Sequence, residues 1–327
     1  MQVGYVGSHL YHLEQGPEAN RAVGAVLGGA TLLPDGRKFF AAGLPLINPN
    51  FGNIQWVSTP GWGWYNGLQL GFQKRLSGGW QLGANYTWSR NTASVDQQFG
   101  GEVQGQLVGP MDLDDLPRDY SLSTFHQSHV LSINGKYRMP WDRLLTARVA
   151  KAVLGGWEIN SALRATSGLP QVIGAGFNVS RSRHVLAADR PDLIPGFSNS
   201  PTEGVTAGCP GVAAGQKLGT PNLYFDPCAF SLPLAGTYGN LGRNTLIGPG
   251  VFNVDFGLVK NTALTALHEG MNLEFRAEFF NLFNHANFRL PAAALFLATG
   301  GRNTNAGQIT GTNTFGRQVQ FGLKLTF

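Results

Sequence analysis

Apolar and polar residues alternate along much of this chain. The clearest case is the final segment, FGRQVQFGLKLTF, whose apolar members from 319 onward are Val319, Phe321, Leu323, Leu325 and Phe327. Alternation at every second position places apolar side chains on one face of a β-strand and polar side chains on the other. The segment is therefore predicted to be a strand that ends on an aromatic residue.

Residues 68–89, LQLGFQKRLSGGWQLGANYTWS, contain two alternating runs separated by Ser77, Gly78 and Gly79. A short glycine turn between two such runs is typical of a β-hairpin. Runs of about ten residues with the same period occur at 1–10, 131–139, 157–165, 252–258 and 273–279. Together these patterns predict eight strands, each about the length that crosses a bilayer when tilted.

The predicted connections alternate strictly between long and short. The long ones are 11–63, 91–126, 169–250 and 284–315, and the short ones are 77–79, 140–155 and 261–270. Up-and-down barrels of outer membranes have long loops on one side and short turns on the other. Tryptophan and tyrosine residues lie near the strand ends, where such rings settle at membrane interfaces. The pattern predicts an all-β, antiparallel, up-and-down transmembrane β-barrel over residues 1–327.

Composition agrees with a barrel and excludes other classes. Charged residues make up 13% of the chain, where about 25% is usual for a soluble domain. No apolar run is long enough for a transmembrane helix. The net charge is +5, but the basic residues are scattered, so no nucleic-acid partner is expected. The first residues lack a signal-peptide pattern, which indicates either a cytoplasmic protein or the tail of a longer one.

Few residues suggest chemistry. Cys209 and Cys228 lie in a stretch rich in glycine and proline, which fits a loop disulfide in an oxidising compartment, although two unrelated free thiols would fit as well. The acidic segment 111–120, MDLDDLPRDY, could hold a hard cation through oxygen ligands, but it lacks the glycine and distal glutamate of a calcium loop. A solvated acidic loop is the favoured interpretation, and no metal is expected.

No catalytic or cofactor motif is found, and the chain is expected not to be an enzyme and to need no cofactor. An outer-membrane hydrolase would need an outward-facing nucleophile paired with a histidine, which the sequence does not show. A second alternative, a secreted or surface β-rich adhesin or carbohydrate-binding module, explains the aromatic residues and the cysteines but not the alternating connections.

Four polar residues are predicted to point into the lumen of the barrel: Asp255, Glu274, Arg276 and Glu278. Since buried charges need partners, a structural ion-pair ladder is favoured over direct contact with a substrate.

Several long segments resemble the C-terminal barrel of TonB-dependent receptors, and in particular the Oar-like group with a carboxypeptidase-regulatory-like domain. They are YNGLQLGFQKRLSGGWQLGANYTWSR (65–90), VLGGWEINSALRATSGLP (153–170), YGNLGRNTLIGPGVFNVDFGLVKN (238–261), LEFRAEFFNLFNHANF (273–288) and FGRQVQFGLKLTF (315–327). One departure lies in STFHQSHVLS, where His126 and Ser128 stand in place of the Asp and Arg of the family's F-D-x-R-H stretch.

The resemblance implies that the eight strands are the C-terminal portion of a 22-stranded barrel, whose signal peptide, TonB box and plug domain are not visible in 1–327. It implies TonB-energised uptake of a scarce, bulky substrate (siderophore, oligosaccharide or peptide) across the outer membrane of a Gram-negative bacterium. The implied partners are outer-membrane lipid, the barrel assembly machinery, for which Phe327 resembles the terminal signal, and the TonB complex through an N-terminal part. With Phe327 at the periplasm, 11–63, 91–126 and 169–250 face outward, where substrate binding is expected.

Overall fold

The computed structural model describes residues 1–25, 31–54, 56–95, 110–184, 189–265 and 268–327. Fifteen strands are present in these ranges, eight long and seven of two residues. The long strands are β1 (Gln2–Gln15), β2 (Ser58–Ser77), β3 (Trp80–Ala93), β4 (His129–Arg138), β5 (Trp157–Thr166), β6 (Val251–Ala263), β7 (Asn272–Phe280) and β8 (Gln318–Thr326).

The remaining elements are short. The two-residue strands are Thr31–Leu32, Lys38–Phe39, Ser121–Leu122, Pro170–Gln171, Asp192–Leu193, Phe230–Ser231 and Leu246–Ile247. Two α-helices, α1 (Trp141–Leu144) and α2 (Arg148–Leu154), lie between β4 and β5, and 3₁₀ turns occupy Val23–Ala25, Leu116–Asp119 and Pro227–Ala229. Among the described residues, no helix has the length and apolar character needed to cross a membrane.

The eight long strands form one antiparallel meander. Each strand pairs with the next one along the chain, from β1 to β8, and Ser121–Leu122 adds a short pairing to the end of β3. The predicted set of eight strands and the alternation of long and short connections are thus confirmed for the described residues. Within the described residues β1 pairs with β2 alone and β8 with β7 alone, so the eight strands form an open sheet.

The prediction was least accurate for the first connection. Strand β2 begins at Ser58 and β1 extends to Gln15, so the connection is 16–57 rather than 11–63. Gly61, Gly63 and Gly67 interrupt the apolar pattern in this part of β2. The backbone nonetheless pairs with β1 as far as Gln15 and Ser58, through register shifts at Tyr11, Leu13 and Gln15. Pairing with a neighbouring strand overrides a weak local pattern here.

The hairpin between β2 and β3 turns at Gly78 and Gly79. Their φ angles are +61° and +85°, and Ser77 pairs with Trp80 across the turn. Two central residues with positive φ are typical of a type I′ turn, whose twist matches that of the flanking strands. The glycines therefore set the register of the hairpin.

The two faces of the sheet differ in chemistry. Strand register places the alternating apolar residues on one face, here called the apolar face, and it places polar residues and glycine on the other, the polar face. Phe321 and Leu323 on the apolar face of β8 are 68% and 71% exposed. A soluble protein rarely exposes a large continuous apolar surface, so the apolar face is suited to contact with lipid.

The two buried apolar clusters found among the described residues lie in the connections rather than in the sheet. We call the described parts of 16–57, 94–128, 167–250 and 281–317 the loop cap, because these long connections all leave the same end of the meander. The larger apolar cluster consists of Ile173, Phe225, Ala229, Phe230, Leu241, Leu246, Leu295, Phe296 and Ala306. A second cluster joins Phe40, Met111 and Tyr238, one residue from each of three connections. The long connections therefore pack against one another as a folded unit.

Candidate functional site

Charged side chains are concentrated in a recess on the polar face of β4 to β7. The recess has a volume of about 590 Å³, and its lining includes Asp255, Glu274, Arg276 and Glu278, the four residues predicted to face a lumen. Three further charged residues line it, Lys136, Arg138 and Glu158. They occupy polar positions of β4 and β5 and were not predicted as part of a site. Their alternation with apolar residues in the sequence already placed them on the polar face.

Ion pairs cross-link this recess. Glu274 Oε1 accepts a hydrogen bond from Arg276 Nε at 2.5 Å. Glu158 pairs with Lys136, and its second carboxylate oxygen lies 3.7 Å from Arg138 Nε. The Glu158 pairs bridge the neighbouring strands β4 and β5, whereas the Glu274–Arg276 pair lies within β7.

Asp255 has a different role from the other three residues. Its Oδ1 accepts hydrogen bonds from the Asn281 backbone N–H at 2.9 Å and from Asn253 Nδ2 at 2.8 Å. Asn281 is the first residue after β7 and has a φ of +52°. Asp255 thus fixes the chain where it leaves β7 for the loop cap.

The predicted outward connections form most of the loop cap. Residues 26–30 and 55 of the first, 96–109 of the second and 185–188 of the third lie outside the described residues. Cys209 and Cys228, in the third connection, are joined by a disulfide with a Cα–Cα distance of 5.6 Å. The neighbouring Asp226 carboxylate accepts hydrogen bonds from Thr206 Oγ1 and from the Ala207 and Cys228 N–H groups, at 2.8 to 2.9 Å. The disulfide therefore lies within a hydrogen-bonded turn.

A basic side chain links the disulfide turn to the last connection. Arg302 donates to the carbonyl oxygens of Pro227 at 2.7 Å and of Phe230 at 2.9 Å. These contacts join 281–317 to 167–250 beside the larger apolar cluster.

The acidic segment 111–120 is solvated only in part: Asp114 and Asp115 are exposed, as the favoured prediction has it, but the prediction is wrong for the other two aspartates. Asp112 and Asp119 are buried. Lys38 Nζ lies 2.7 Å from Asp112 Oδ2 and 3.4 Å from Asp114 Oδ2, and Arg190 Nη2 lies 2.5 Å from Asp119 Oδ1. These carboxylates hold the loop cap together through basic residues that are distant in sequence, a relationship that local spacing could not reveal.

Further buried polar groups surround these ion pairs. Arg243 Nε donates to the Asp119 carbonyl oxygen at 2.8 Å, and a second Arg243 nitrogen donates to the carbonyl of Ala93 at the end of β3. Burial lowers the pKa of His184 to about 4, with Arg21 adding to the effect. Burial raises the pKa of Asp189 to about 6, although the hydroxyl and N–H of Ser180 hydrogen-bond its carboxylate. The interior of the loop cap therefore contains several buried polar groups, and Arg243 connects it to the end of β3.

His126 and Ser128, at the departure from the family motif, contact each other. His126 Nδ1 accepts a hydrogen bond from the Asn91 N–H at 3.1 Å, so its Nε2 carries the hydrogen that reaches Ser128 Oγ at 3.0 Å. A neutral histidine and serine pair thus occupies the junction between the loop cap and β4.

The fold and its faces define a class of protein. An antiparallel meander with an exposed apolar face, a polar opposite face and long connections at one end is the sheet of a membrane-spanning β-barrel protein. A family model described as an outer membrane beta barrel domain matches residues 1–320, and the chain belongs to this family. Membership supports a location in the outer membrane. No curated protein matches the chain.

Proposed function

We propose that this chain is the C-terminal portion of the barrel of a TonB-dependent receptor of the Oar-like type, in the outer membrane of a Gram-negative bacterium. The receptor takes up a scarce, bulky substrate of the siderophore, oligosaccharide or peptide class. The observation that carries the proposal is the exposed apolar face of the meander opposite a charged polar face. The assignment to the Oar-like type of TonB-dependent receptor is supported by the long sequence motifs that resemble those receptors.

The two free edges of the sheet support a barrel larger than eight strands. Unpaired N–H and C=O groups at the edge of a strand cannot be satisfied in lipid. In the part of the chain that the structure describes, β1 and β8 each have such an edge. Further strands between β8 and β1 would satisfy both edges, as in the 22-stranded barrel of the resembling receptors.

Each region of the chain then has its own role in uptake. The loop cap captures substrate, because binding residues are commonly carried by loops on a rigid scaffold. The charged recess faces the lumen and contacts a plug domain. Phe327, which is 86% exposed, is available to the barrel assembly machinery. A region N-terminal to the barrel contacts the TonB complex, and the protein acts without catalysis.

Cell fractionation and epitope accessibility test the location. The full-length parent protein should be recovered with the outer membrane, should need detergent for extraction, and should migrate differently on gels before and after heating. Recovery as a soluble protein would contradict the proposal. A tag inserted at Gly215, an exposed turn with space around it, should bind antibody on intact cells. A tag at Thr265, in the short connection between β6 and β7, should not.

Uptake assays test the transport step. Deletion of the gene should abolish growth on one limiting nutrient of the proposed classes, and collapse of the proton gradient should stop its accumulation in wild-type cells. Uptake that continues without the gradient would exclude TonB coupling while leaving the location in the outer membrane intact.

A further inference from the structure

A groove of about 670 Å³ lies on the apolar face near the loop cap, between β1, β2, β3 and the segment 122–128. Its apolar lining includes Tyr5, Leu68 and Trp88, and its polar lining includes Asn66, Arg90, His126 and Ser128. These residues come from four segments that the strand pairing brings together. The groove belongs to neither the polar-face recess nor the apolar clusters of the cap.

The polar residues of the groove lie at the end nearest the cap. Strand β3 runs from the Gly78–Gly79 turn toward the cap, and the side chains on its apolar face are Trp80, Leu82, Ala84, Tyr86, Trp88 and Arg90 in that order. Arg90 is therefore the first charged group beyond an apolar band of five residues. Amphipathic rings such as Trp88 mark the interface of a bilayer with water, so Arg90 lies at the depth of lipid headgroups.

Arg90 differs from the basic residue at the opposite end of the same face. Lys260 on β6 donates hydrogen bonds to the carbonyls of Ala152 and Gly155, at 2.9 and 2.8 Å. Arg90 is exposed, and among the described residues its guanidinium has neither a carboxylate nor a hydrogen-bond acceptor. The ammonium group of Lys260 is hydrogen-bonded within the protein, whereas the guanidinium of Arg90 is left to interact with molecules outside it.

The other polar groups of the groove present donors. Asn66 Oδ1 already accepts from the Tyr5 hydroxyl at 2.6 Å, which leaves the Asn66 amide hydrogens. His126 Nδ1 is occupied by the Asn91 N–H, and Ser128 Oγ already accepts from His126 Nε2, which leaves the Ser128 hydroxyl hydrogen. A ligand that fits must offer acceptors and negative charge, and phosphate oxygens provide both.

We propose that this groove binds an anionic membrane lipid, whose phosphate headgroup contacts Arg90, Asn66 and Ser128 and whose acyl chain lies along Leu68 between Tyr5 and Trp88. The inference rests on the proposed membrane location of the apolar face and adds a specific lipid site to it. The apolar lining selects a lipid over a free anion, because Tyr5 and Trp88 are 70% and 56% exposed and would be covered by an acyl chain. The donor set selects an anionic over a zwitterionic headgroup through charge.

Lipid binding to the purified full-length protein tests the site. Wild-type protein, Arg90→Gln and Arg164→Gln are stripped of lipid in detergent, supplied with phosphatidylglycerol or phosphatidylcholine, and bound lipid is counted by native mass spectrometry. Arg164 is the matched control, since it is an exposed arginine on the polar face of β5, opposite Ser132 and Asn253. Wild type and Arg164→Gln should prefer phosphatidylglycerol at least fivefold, and Arg90→Gln should show a ratio close to one.

The proposal would be overturned if the wild type showed no headgroup preference, or if Arg90→Gln kept the full preference. It would also be overturned if millimolar inorganic phosphate removed the preference, because free phosphate would then be the ligand. If Arg90→Gln fails to assemble, Arg90→Lys replaces it and should keep part of the preference because it keeps the charge. All variants should still insert into phosphatidylcholine bilayers, and loss of insertion by the wild type would instead contradict the membrane location itself.

Discussion

Asp119 and Arg190 form an ion pair of 2.5 Å between two connections of the loop cap, with side chains that are 0% and 2% exposed. Asp119 also accepts the Met111 N–H at 2.6 Å, and Arg190 Nε donates to the Leu241 carbonyl at 2.8 Å. Removing one partner of a buried pair leaves a charge without compensation. The pair therefore holds the cap in its folded arrangement.

Replacing Asp119 by Ala should destabilise the cap by about 3–5 kcal/mol, because Arg190 then stays buried without its counterion. Chemical denaturation followed by near-ultraviolet circular dichroism measures the loss. The double variant Asp119→Leu, Arg190→Met should recover much of it. Asp35→Asn is the control, since the Asp35–Arg37 pair is solvent-exposed and its removal should change little; equal losses in both variants would show that the buried pair has no special weight.

Loss of the Cys209–Cys228 disulfide should loosen the third connection. The bridge closes a loop with a sequence separation of 19, for which about 3 kcal/mol of stabilisation is expected from the reduced entropy of the unfolded chain. The double variant Cys209→Ser, Cys228→Ser should be cleaved faster by protease within 200–230, while the sheet stays resistant. Without reductant, the wild type should react with no maleimide; rapid labelling of both thiols in the unreduced protein would contradict the bridge.

His184 and Asp189, both buried in the loop cap, should have opposite effects on how its stability depends on pH. Burial lowers the pKa of His184 from 6.5 to about 4, so between these values the unfolded chain binds more protons and stability falls as the pH falls. Burial raises the pKa of Asp189 from 3.8 to about 6, so in that range the folded chain binds more protons and stability falls as the pH rises. The two effects nearly cancel between about pH 4 and 6.

Single variants should therefore reveal opposite slopes. His184→Leu should gain stability relative to wild type as the pH drops from 6.5 to 4, and Asp189→Asn should lose it, each by up to about 3 kcal/mol. Charges around His184 that contribute are Arg21, Asp112 and Asp119. Thermal unfolding at half-unit pH steps measures both slopes, and variants that track the wild type across this range would refute the assignment.

The hairpin turn should tolerate change at one glycine and not at the other. At Gly78 a Cβ would meet open space, whereas at Gly79 it would lie 2.7 Å from the Arg138 carbonyl oxygen. Gly78→Asn should be nearly neutral, because Asn-Gly is favoured in type I′ turns. Gly79→Ala should cost about 1–2 kcal/mol from the left-handed backbone alone, with the contact adding to it. Refolding yield in detergent micelles compares the two variants, and the reverse order of yields would exclude a type I′ turn.

Neighbouring residues on the two faces of β4 should respond differently to a new charge. Ile133 lies on the apolar face near the middle of the strand, and Asn134 lies on the polar face and lines the recess. Ile133→Lys should destabilise the assembled protein by about 2–4 kcal/mol, since a charge near the bilayer midplane is costly. Asn134→Lys should leave assembly in the membrane unchanged. Urea titration in lipid vesicles measures both, and equal effects would mean that the apolar face does not contact lipid.

Periodicity in the sequence was sufficient for the sheet. Strict alternation in segments such as 318–327 fixes which side chains share a face, because a strand has a side-chain period of two. It also located the hairpin at Gly78 and Gly79 and grouped Asp255, Glu274, Arg276 and Glu278 on one face. The part of β2 before residue 64 escaped detection, since Gly61 and Gly63 interrupt the pattern there and pairing with β1 decides the conformation.

The tertiary structure decided the rest. The loop cap, with its buried Asp119–Arg190 pair, joins connections far apart in the chain, and no local pattern encodes which distant residues neutralise each other. The same holds for the groove on the apolar face, where strand pairing and the segment before β4 bring together Arg90, Asn66 and Ser128. A periodic pattern specifies one face of a strand, because the direction of the side chains repeats every two residues. A site depends instead on contacts between residues far apart in sequence, and these form only when the chain folds.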